Sequence, residues 1–566
     1  MRGNDTKPGA AAVTMTDSLD LLLVHADNHH EVLAGGLPDV ATRGLVEKQE
    51  DDLIGHLWNE GGDQGDLVQQ GWGVIAPDTA EGRRMVAAID ALIERRGNDS
   101  GVRLEPYYVA PGMTASQAQV WRKTVFEASA ADPEDLPRYQ LILGDLDGVS
   151  LELQQVMASD AYVGRLAFDP IPGLDDPLAG YCAYVDKLLR WEREPSAARR
   201  GRALVHTVHD GTRTVATGYR ALVEPGLEEA DAWLTEGKLE AEAVVRSGDF
   251  AIPDPQELLD LAAQDRPGVL FSLSHGEGPP RRGWPSPAEQ RLGQGAISFG
   301  SEGRLRGADL GARAFMSGGL WFMLACFGAG TPGSSVYRPW LTKLARHDQF
   351  RGKIEPVLAG LEGAGAGFIA SLPKAVLASD RGPLAVVGHV DLAWTYAFRE
   401  LDTGTALSRS TRFMQLLRSA LRQDRFGLAL RWFGRFVARA SDEITAVYQD
   451  AASGGGDVDE ATHQRLGHLW MLRHDLAGYV LLGDPAARLP LSGAAVAQRS
   501  SPEVAGVPGL VSPPPPVAAA PAVELPLAID DLEEAIAKEY GIERGVLEEL
   551  AERYQAAGRA ALGVNR

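Results

Sequence analysis

The chain has 566 residues, too many for one compact domain and suited to two or three. Its hydrophobic share of 45% and charged share of 23% are ordinary for a globular protein with a substantial core. A formal net charge of −22 argues against a general affinity for nucleic acid or for an anionic membrane surface.

In chain order, residues 1–17 read as a flexible leader without the apolar stretch of a secretory signal. No run of about 18 apolar residues follows that would span a bilayer. Strand-like runs then alternate with helical stretches: DLLLVH (20–25), WGVIA (72–76), LEPYYV (104–109), YQLILG (139–144) and AYVGRLA (161–167). Between them, residues 79–96 have helical spacing with Thr79 placed to cap the start. A long helix over Pro177–Glu192 closes this N-terminal α/β subdomain, residues 18–197.

A second alternating series forms the subdomain 198–490: ALVHTVHDG (203–211), KLEAEAVV (238–245), GVLFSLSHG (268–276), GLWFMLACFG (319–328) and PLAVVGHVD (383–391). Helical segments at Pro255–Ala263, Gly367–Ser379, 411–450 and 460–480 fall around these strands. Such alternation predicts a mostly parallel sheet covered by helices on both faces. Residues 491–526 shift to Pro, Ala, Val, Gly and Ser and read as a semi-extended linker. In 527–566, Ile529, Leu532 and Ile536, then Ile542, Val546, Leu550 and Tyr554, recur at helical spacing on either side of Gly541. That pattern predicts a helical hairpin tail whose apolar stripes suit docking on a protein partner or on the chain itself.

Two apolar runs end in one reactive side chain and then glycine. In LFSLSHGEG (270–278) the residue is His275; in FMLACFGAG (322–330) it is Cys326. Runs of this kind suit strands buried on both faces, whose carboxyl ends are where α/β proteins gather their chemistry. A lone buried cysteine is usually a small hydrophobe. Glycines beside both residues, which let backbone approach a ligand closely, favour a nucleophile and its base instead. The 51 positions from His275 to Cys326 leave room for a crossover between neighbouring parallel strands. The only other cysteine, Cys182 in YCAYVDKLLRW, reads as core packing on a helix. With two cysteines there is no disulfide framework, and a cytoplasmic location, where a thiol stays reduced, is the simplest expectation.

Several short segments then line up in order: YQLILGDLDGV, AYVGRLAFD with a long helix after it, SHGEG, ACFGAG, VVGHVDLAW and YVLLGDPAARL. Together they resemble the gingipain-type cysteine peptidases, which share the caspase-like fold, and the resemblance covers residues 135–490. It implies a caspase-like α/β fold and a cysteine endopeptidase acting on protein or peptide substrates, with no cofactor and no metal ligand among the residues it assigns. It implies Cys326 as nucleophile, His275 as general base and acid, and the backbone N–H groups of Gly276 and Cys326 as the oxyanion donors. Asp210 best matches the acidic residue that orients the histidine, although an Asp-Gly turn accounts for it equally. Trp394 matches the tryptophan of the substrate pocket. The loop 212–220 lacks the carboxylate that goes with cleavage after basic residues, so Trp394 suits an apolar stem, and Glu277 or Asp391 would have to supply any charge. By analogy, the resemblance also implies a regulated role of the kind this fold has in defence and cell death.

Three other patterns carry alternatives. His25, Asp27, His29 and His30 form a cluster that a metal reading would use; His206 and His209 flank the same strand end as Asp210 and would line a cleft. LEGAGAGF (361–368) has the glycines of a dinucleotide fingerprint but follows a helical stretch instead of a strand. The competing functional readings are a catalytically silent caspase-like interaction module, and an esterase or amidase using the same Cys–His pair.

Overall fold

A computed structural model describes residues 18–38, 41, 63–130, 135–168, 177–248, 252–361, 365–402, 405–453 and 459–492. The expected leader 1–17 and hairpin tail 527–566 lie outside the described residues, as does the linker 491–526 apart from Leu491 and Ser492.

Ten strands form one large sheet. In chain order they are β1 (Trp72–Pro77), β2 (Tyr107–Val109), β3 (Tyr139–Leu143), β4 (Tyr162–Leu166), β5 (Gly201–Thr207), β6 (Ala241–Ser247), β7 (Gly268–Leu273), β8 (Leu320–Leu324), β9 (Ala385–His389) and β10 (Tyr479–Gly483). Their spatial order is β2-β1-β3-β4-β10-β9-β8-β7-β5-β6. Within this sheet, the strands up to residue 166 lie to one side of β10 and those from 201 to 389 to the other. β10 runs parallel to β4 but antiparallel to β9, so the two halves point in opposite directions. Within each half the pairing is parallel, and the architecture is the mostly parallel sheet flanked by helices that the sequence predicts.

The sheet interior is apolar on both sides, as parallel strands require. All of β7 and all of β8 are buried, and in register Phe271 stacks beside Phe322 with ring centroids 5.2 Å apart. Phe413 from the helix Ser410–Leu421, Phe433 from the helix Phe426–Ser453, and Tyr479 of β10 complete an aromatic cluster on that face. Each such side chain contributes about 1.5–3 kcal/mol by leaving water. The cluster fixes the strands that carry His275 and Cys326 at their ends.

Local signals hold in several places. Thr79 caps the helix Ala80–Ala88 by accepting the Gly82 N–H, and a break at Ile89 starts a second helix, Asp90–Ser100. The long helix spans Pro177–Arg193. Cys182 on that helix is exposed, contrary to the core reading. Tyr181, Tyr184, Val185 and Leu188 form the buried face, and successive residues are rotated about 100° around a helix, which turns Cys182 outward. Two strand expectations also change. GVLFSLSHG does not run through as one strand: it breaks at Ser274, and His275–Gly278 joins a separate four-stranded sheet with Ile297–Ser298, Arg304–Leu305 and Leu23–His25. DLLLVH therefore does not open the main sheet; its residues Leu23–His25 pair in parallel with Gly276–Gly278.

Candidate active site

The carboxyl ends of β5, β7, β8 and β9 converge on one edge. Ladder bonds continue just past the strands, with Val208 N–H donating to Leu273 O at 2.9 Å and Ser274 N–H to Leu324 O at 3.2 Å. These bonds bring the segments carrying Asp210, His275 and Cys326 side by side. Gly276 lies directly on the Cys326 backbone: a Cβ there would fall 1.9 Å from Cys326 O, so no larger residue fits without moving the chain. Immediately after the cysteine, Phe327 adopts φ 56°, a left-handed conformation costly for an aromatic residue. Its N–H donates to Asp391 O at 2.9 Å, which holds the turn.

His275 is fully buried. Its Nε2 is 3.0 Å from Thr212 Oγ1, and Thr212 Oγ1 is 2.7 Å from Asp210 Oδ1. A carboxylate only accepts, so the hydroxyl proton goes to Asp210 and the Thr212 oxygen accepts the Nε2–H of His275. That order leaves Nδ1 as the unprotonated nitrogen, and Nδ1 has no hydrogen-bond partner among the described residues. Asp210 Oδ2 also lies 3.8 Å from Nε2, within ion-pair reach once the ring is charged. Glu31 Oε1 is at the same 3.8 Å and is itself held by the Thr214 N–H and hydroxyl.

Cys326 is fully buried, and its Sγ accepts the Ala393 N–H at 3.2 Å. Burial pushes the thiol well above its ordinary pKa, because a thiolate loses its hydration there. Its backbone N–H and that of Gly276 converge on a single oxygen, Leu22 O, at 3.2 and 3.1 Å. The backbone amides of Gly276, next to His275, and of Cys326 thus donate to the same carbonyl oxygen.

The other sequence-derived residues divide. Trp394 is fully buried against Tyr337 and Trp340, at centroid distances of 5.8 and 5.4 Å, and its backbone bridges Leu21. Asp391 has both carboxylate oxygens engaged by backbone, the Leu392 N–H at 2.7 Å and the Val336 N–H at 3.1 Å. Burial raises its pKa to about 6. Glu277 points into the small sheet, 3.3 Å from Arg304 Nη1 and 3.4 Å from His29 Nδ1. Burial raises it to about 7 against the opposing pull of Arg304. His206 is buried beside Ser247 Oγ at 2.8 Å, with its pKa lowered by burial to about 4. The His25–His30 cluster disperses: His25 Nδ1 bonds Pro279 O while His29 faces Glu277, and no group of three potential metal ligands occurs among the described residues.

No family model matches the chain, and no curated protein matches it significantly. Among solved structures, the chain is similar to one described as the structure of a protease, at 11% identity and TM-score 0.41, covering 74% of this chain and 78% of that one. It is also similar to the Arg-specific cysteine proteinase gingipain R, at 12% identity and TM-score 0.39, covering 75% of this chain and 78% of that one.

Three groups at the site have no signal in the sequence reading. Thr212 looks like a helix cap, which it also is, since its side chain accepts the Val215 N–H. Glu31 arrives from 244 positions away from His275. Asp475, fully buried on the helix Glu460–Ala477, accepts the N–H groups of Trp394 and Ala397 at 2.8 Å each and so shapes the turn beside Cys326. A buried carboxylate inside a helical pattern is the one cue that would have marked Asp475.

Proposed function

We propose that the chain is a cysteine endopeptidase. The observation that carries this reading is the convergence of the Gly276 and Cys326 N–H groups on one carbonyl oxygen, at the strand ends that bear His275 and Cys326. In this reading the proton of Cys326 Sγ passes to His275 Nδ1 and the sulfur attacks the peptide carbonyl carbon. The oxygen takes up the charge between the two amides, and the C–N bond breaks as Nδ1 returns the proton to the leaving amine. Water activated by the same nitrogen then hydrolyses the thioester, releasing the acid and the free thiol. Thr212 and Asp210 position the ring and compensate the imidazolium charge. The ordered motifs from 139 to 489, similar to those of gingipain-type peptidases, support the same reading.

The absence of a carboxylate from 212–220, and the engagement of Asp391 by backbone and of Glu277 by Arg304, favour substrates with an apolar residue before the scissile bond. Both cysteines are free thiols, which fits a reducing, cytoplasmic setting, and no described helix is long and apolar enough to cross a membrane. A second reading, a silent interaction module on the same fold, is favoured by one fact: the Cys326 thiol is buried and raised. The two are separated by comparing proteins cleaved in the presence of the chain and of its Cys326→Ala variant by mass spectrometry. Cleavages lost with the sulfur support the peptidase; identical profiles, found also when the site is opened by the Leu22→Asp change described below, end that reading.

A further inference from the structure

The oxygen held by the two amides belongs to the chain itself. Leu22 makes three backbone hydrogen bonds at the candidate site. Its carbonyl accepts from Gly276 N–H at 3.1 Å and Cys326 N–H at 3.2 Å, and its own N–H donates to Ala393 O at 3.4 Å. On one side of it, Leu21 pairs antiparallel with Trp394. On the other, Leu23–His25 pairs with Gly276–Gly278, and Leu23 fills the space that a side chain at Gly278 would need, 2.8 Å from the position of its Cβ. Leu21 and Leu22 are fully buried and Leu23 is 2% exposed. Beyond it the chain turns back, with His25 N–H donating to His30 O and Val24 bridging Glu31, which places the Glu31 carboxylate 3.8 Å from His275 Nε2.

Resting on the peptidase reading above, we propose that residues Leu21–Leu23 are a ligand of the cleft carried by the chain itself. The segment up to Leu22 is bound as the acyl half of a peptide substrate, with Leu22 immediately before the presented bond and Leu23 just after it. The described form is then latent, and the opened site accepts peptides with an aliphatic residue in the Leu22 position. An extended strand supplies what such a site recognises, main-chain hydrogen bonds for affinity and alternate side chains for specificity. It also excludes water and ligands from Cys326, whose burial keeps the thiol protonated. Being tethered, the occupant competes at a high effective concentration, so free peptides displace it poorly.

The test measures two rates on the full chain. Leu22→Asp puts a charge into a fully buried site and is expected to expel the strand. Iodoacetamide labelling of Cys326 should rise at least tenfold over wild type. The variant should hydrolyse a fluorogenic amide of acetyl-Asp-Leu-Leu, the sequence of residues 20–22, at least tenfold faster than its counterpart ending in Arg. Should Leu22→Asp fail to fold, Leu22→Gly keeps every backbone group, removes only the buried side chain, and is expected to raise labelling about tenfold. Labelling at the wild-type rate in a folded variant overturns the occupancy. Preference for the Arg peptide overturns the assigned register. Faster labelling without hydrolysis of either peptide upholds the occupancy and removes the peptidase reading instead.

Discussion

Buried charged and titratable groups sit in both halves of the sheet, and those at the second half's strand ends are treated differently. In the first half, the fully buried Arg165 of β4 donates to Gly144 O, Val149 O and Gln154 Oε1 at 2.7–2.8 Å. Nearby, the buried Arg96 meets Asp484 at 2.8 Å and Glu192 at 2.5 Å. In the second half, the His275–Thr212–Asp210 chain ends in two atoms without hydrogen-bond partners among the described residues, His275 Nδ1 and Asp210 Oδ2. Satisfied buried polar groups fix a fold, whereas one left open at a strand end marks where another molecule completes the bonding. By this comparison, substitutions at Arg165 register in stability and those around His275 in activity.

The largest contrast should come from Cys326. In a Leu22→Asp background, Cys326→Ala and His275→Ala are each expected to lower peptide hydrolysis by on the order of 10⁴-fold or more, because the two act as one unit. The melting transition should shift little, since removing Sγ forfeits only two weak contacts, one accepted from the Ala393 N–H and one donated to Ala393 O. Near-full activity in His275→Ala would place the base elsewhere. Iodoacetamide gives a companion measure. In the closed wild-type chain the exposed Cys182 should react faster than the buried Cys326, reversing the order that the sequence suggests.

Arg165→Leu comes next in size and should reverse the pattern. It strands two carbonyls and an amide oxygen without donors inside the sheet, each worth about 1–3 kcal/mol. A loss of about 3–5 kcal/mol in unfolding free energy is expected, with the Cys326 labelling rate of the folded fraction unchanged. An equal loss from Cys326→Ala would erase the distinction between the halves.

What the sequence made legible follows the same division. Strand–helix alternation and the apolar runs before His275 and Cys326 are local patterns, and they located most of the main sheet and the two reactive side chains. DLLLVH has the pattern of a strand, but an apolar run fits any buried strand, and periodicity does not say which sheet it joins. The placement of Leu22 depends on amides about 250 and 300 residues further along, which no local pattern encodes. Thr212 was invisible for another reason: its cap role already accounts for a threonine there, so its bond to His275 left no surplus signal.

Thr212→Val tests that bond and should have a smaller effect. The variant keeps the shape and removes the acceptor of the His275 Nε2–H. The ring is then free to carry its proton on Nδ1, where it cannot act as base. Hydrolysis in the Leu22→Asp background should fall roughly 10–100-fold, on the scale of a misoriented general base. The pH profile should shift with it, which a purely structural defect would not produce. Loss of the Val215 cap bond adds about 1 kcal/mol of instability, a contribution separable by melting.

Glu277 offers the smallest effect and the sharpest use of pH. Burial raises its folded pKa from an ordinary 4.5 to about 7, although Arg304 pulls the other way. Between those values the folded protein keeps a proton that the unfolded chain releases, so stability falls as pH rises through this window. Above it, the full cost of a buried carboxylate is present. Glu277→Gln has no proton to release, so relative to wild type it should gain stability as pH rises from 5 to 8. The gain is on the order of 2 kcal/mol, discounted because Arg304 is partly exposed and still solvates the charge. Denaturant midpoints at the two pH values measure it. Arg165, which burial lowers only to about 10, stays charged across the same range, so the Arg165→Leu deficit should be flat. A wild-type-to-Gln difference equally flat would mean that Glu277 is ionised throughout, held by Arg304 and His29 as a satisfied cluster like those of the first half.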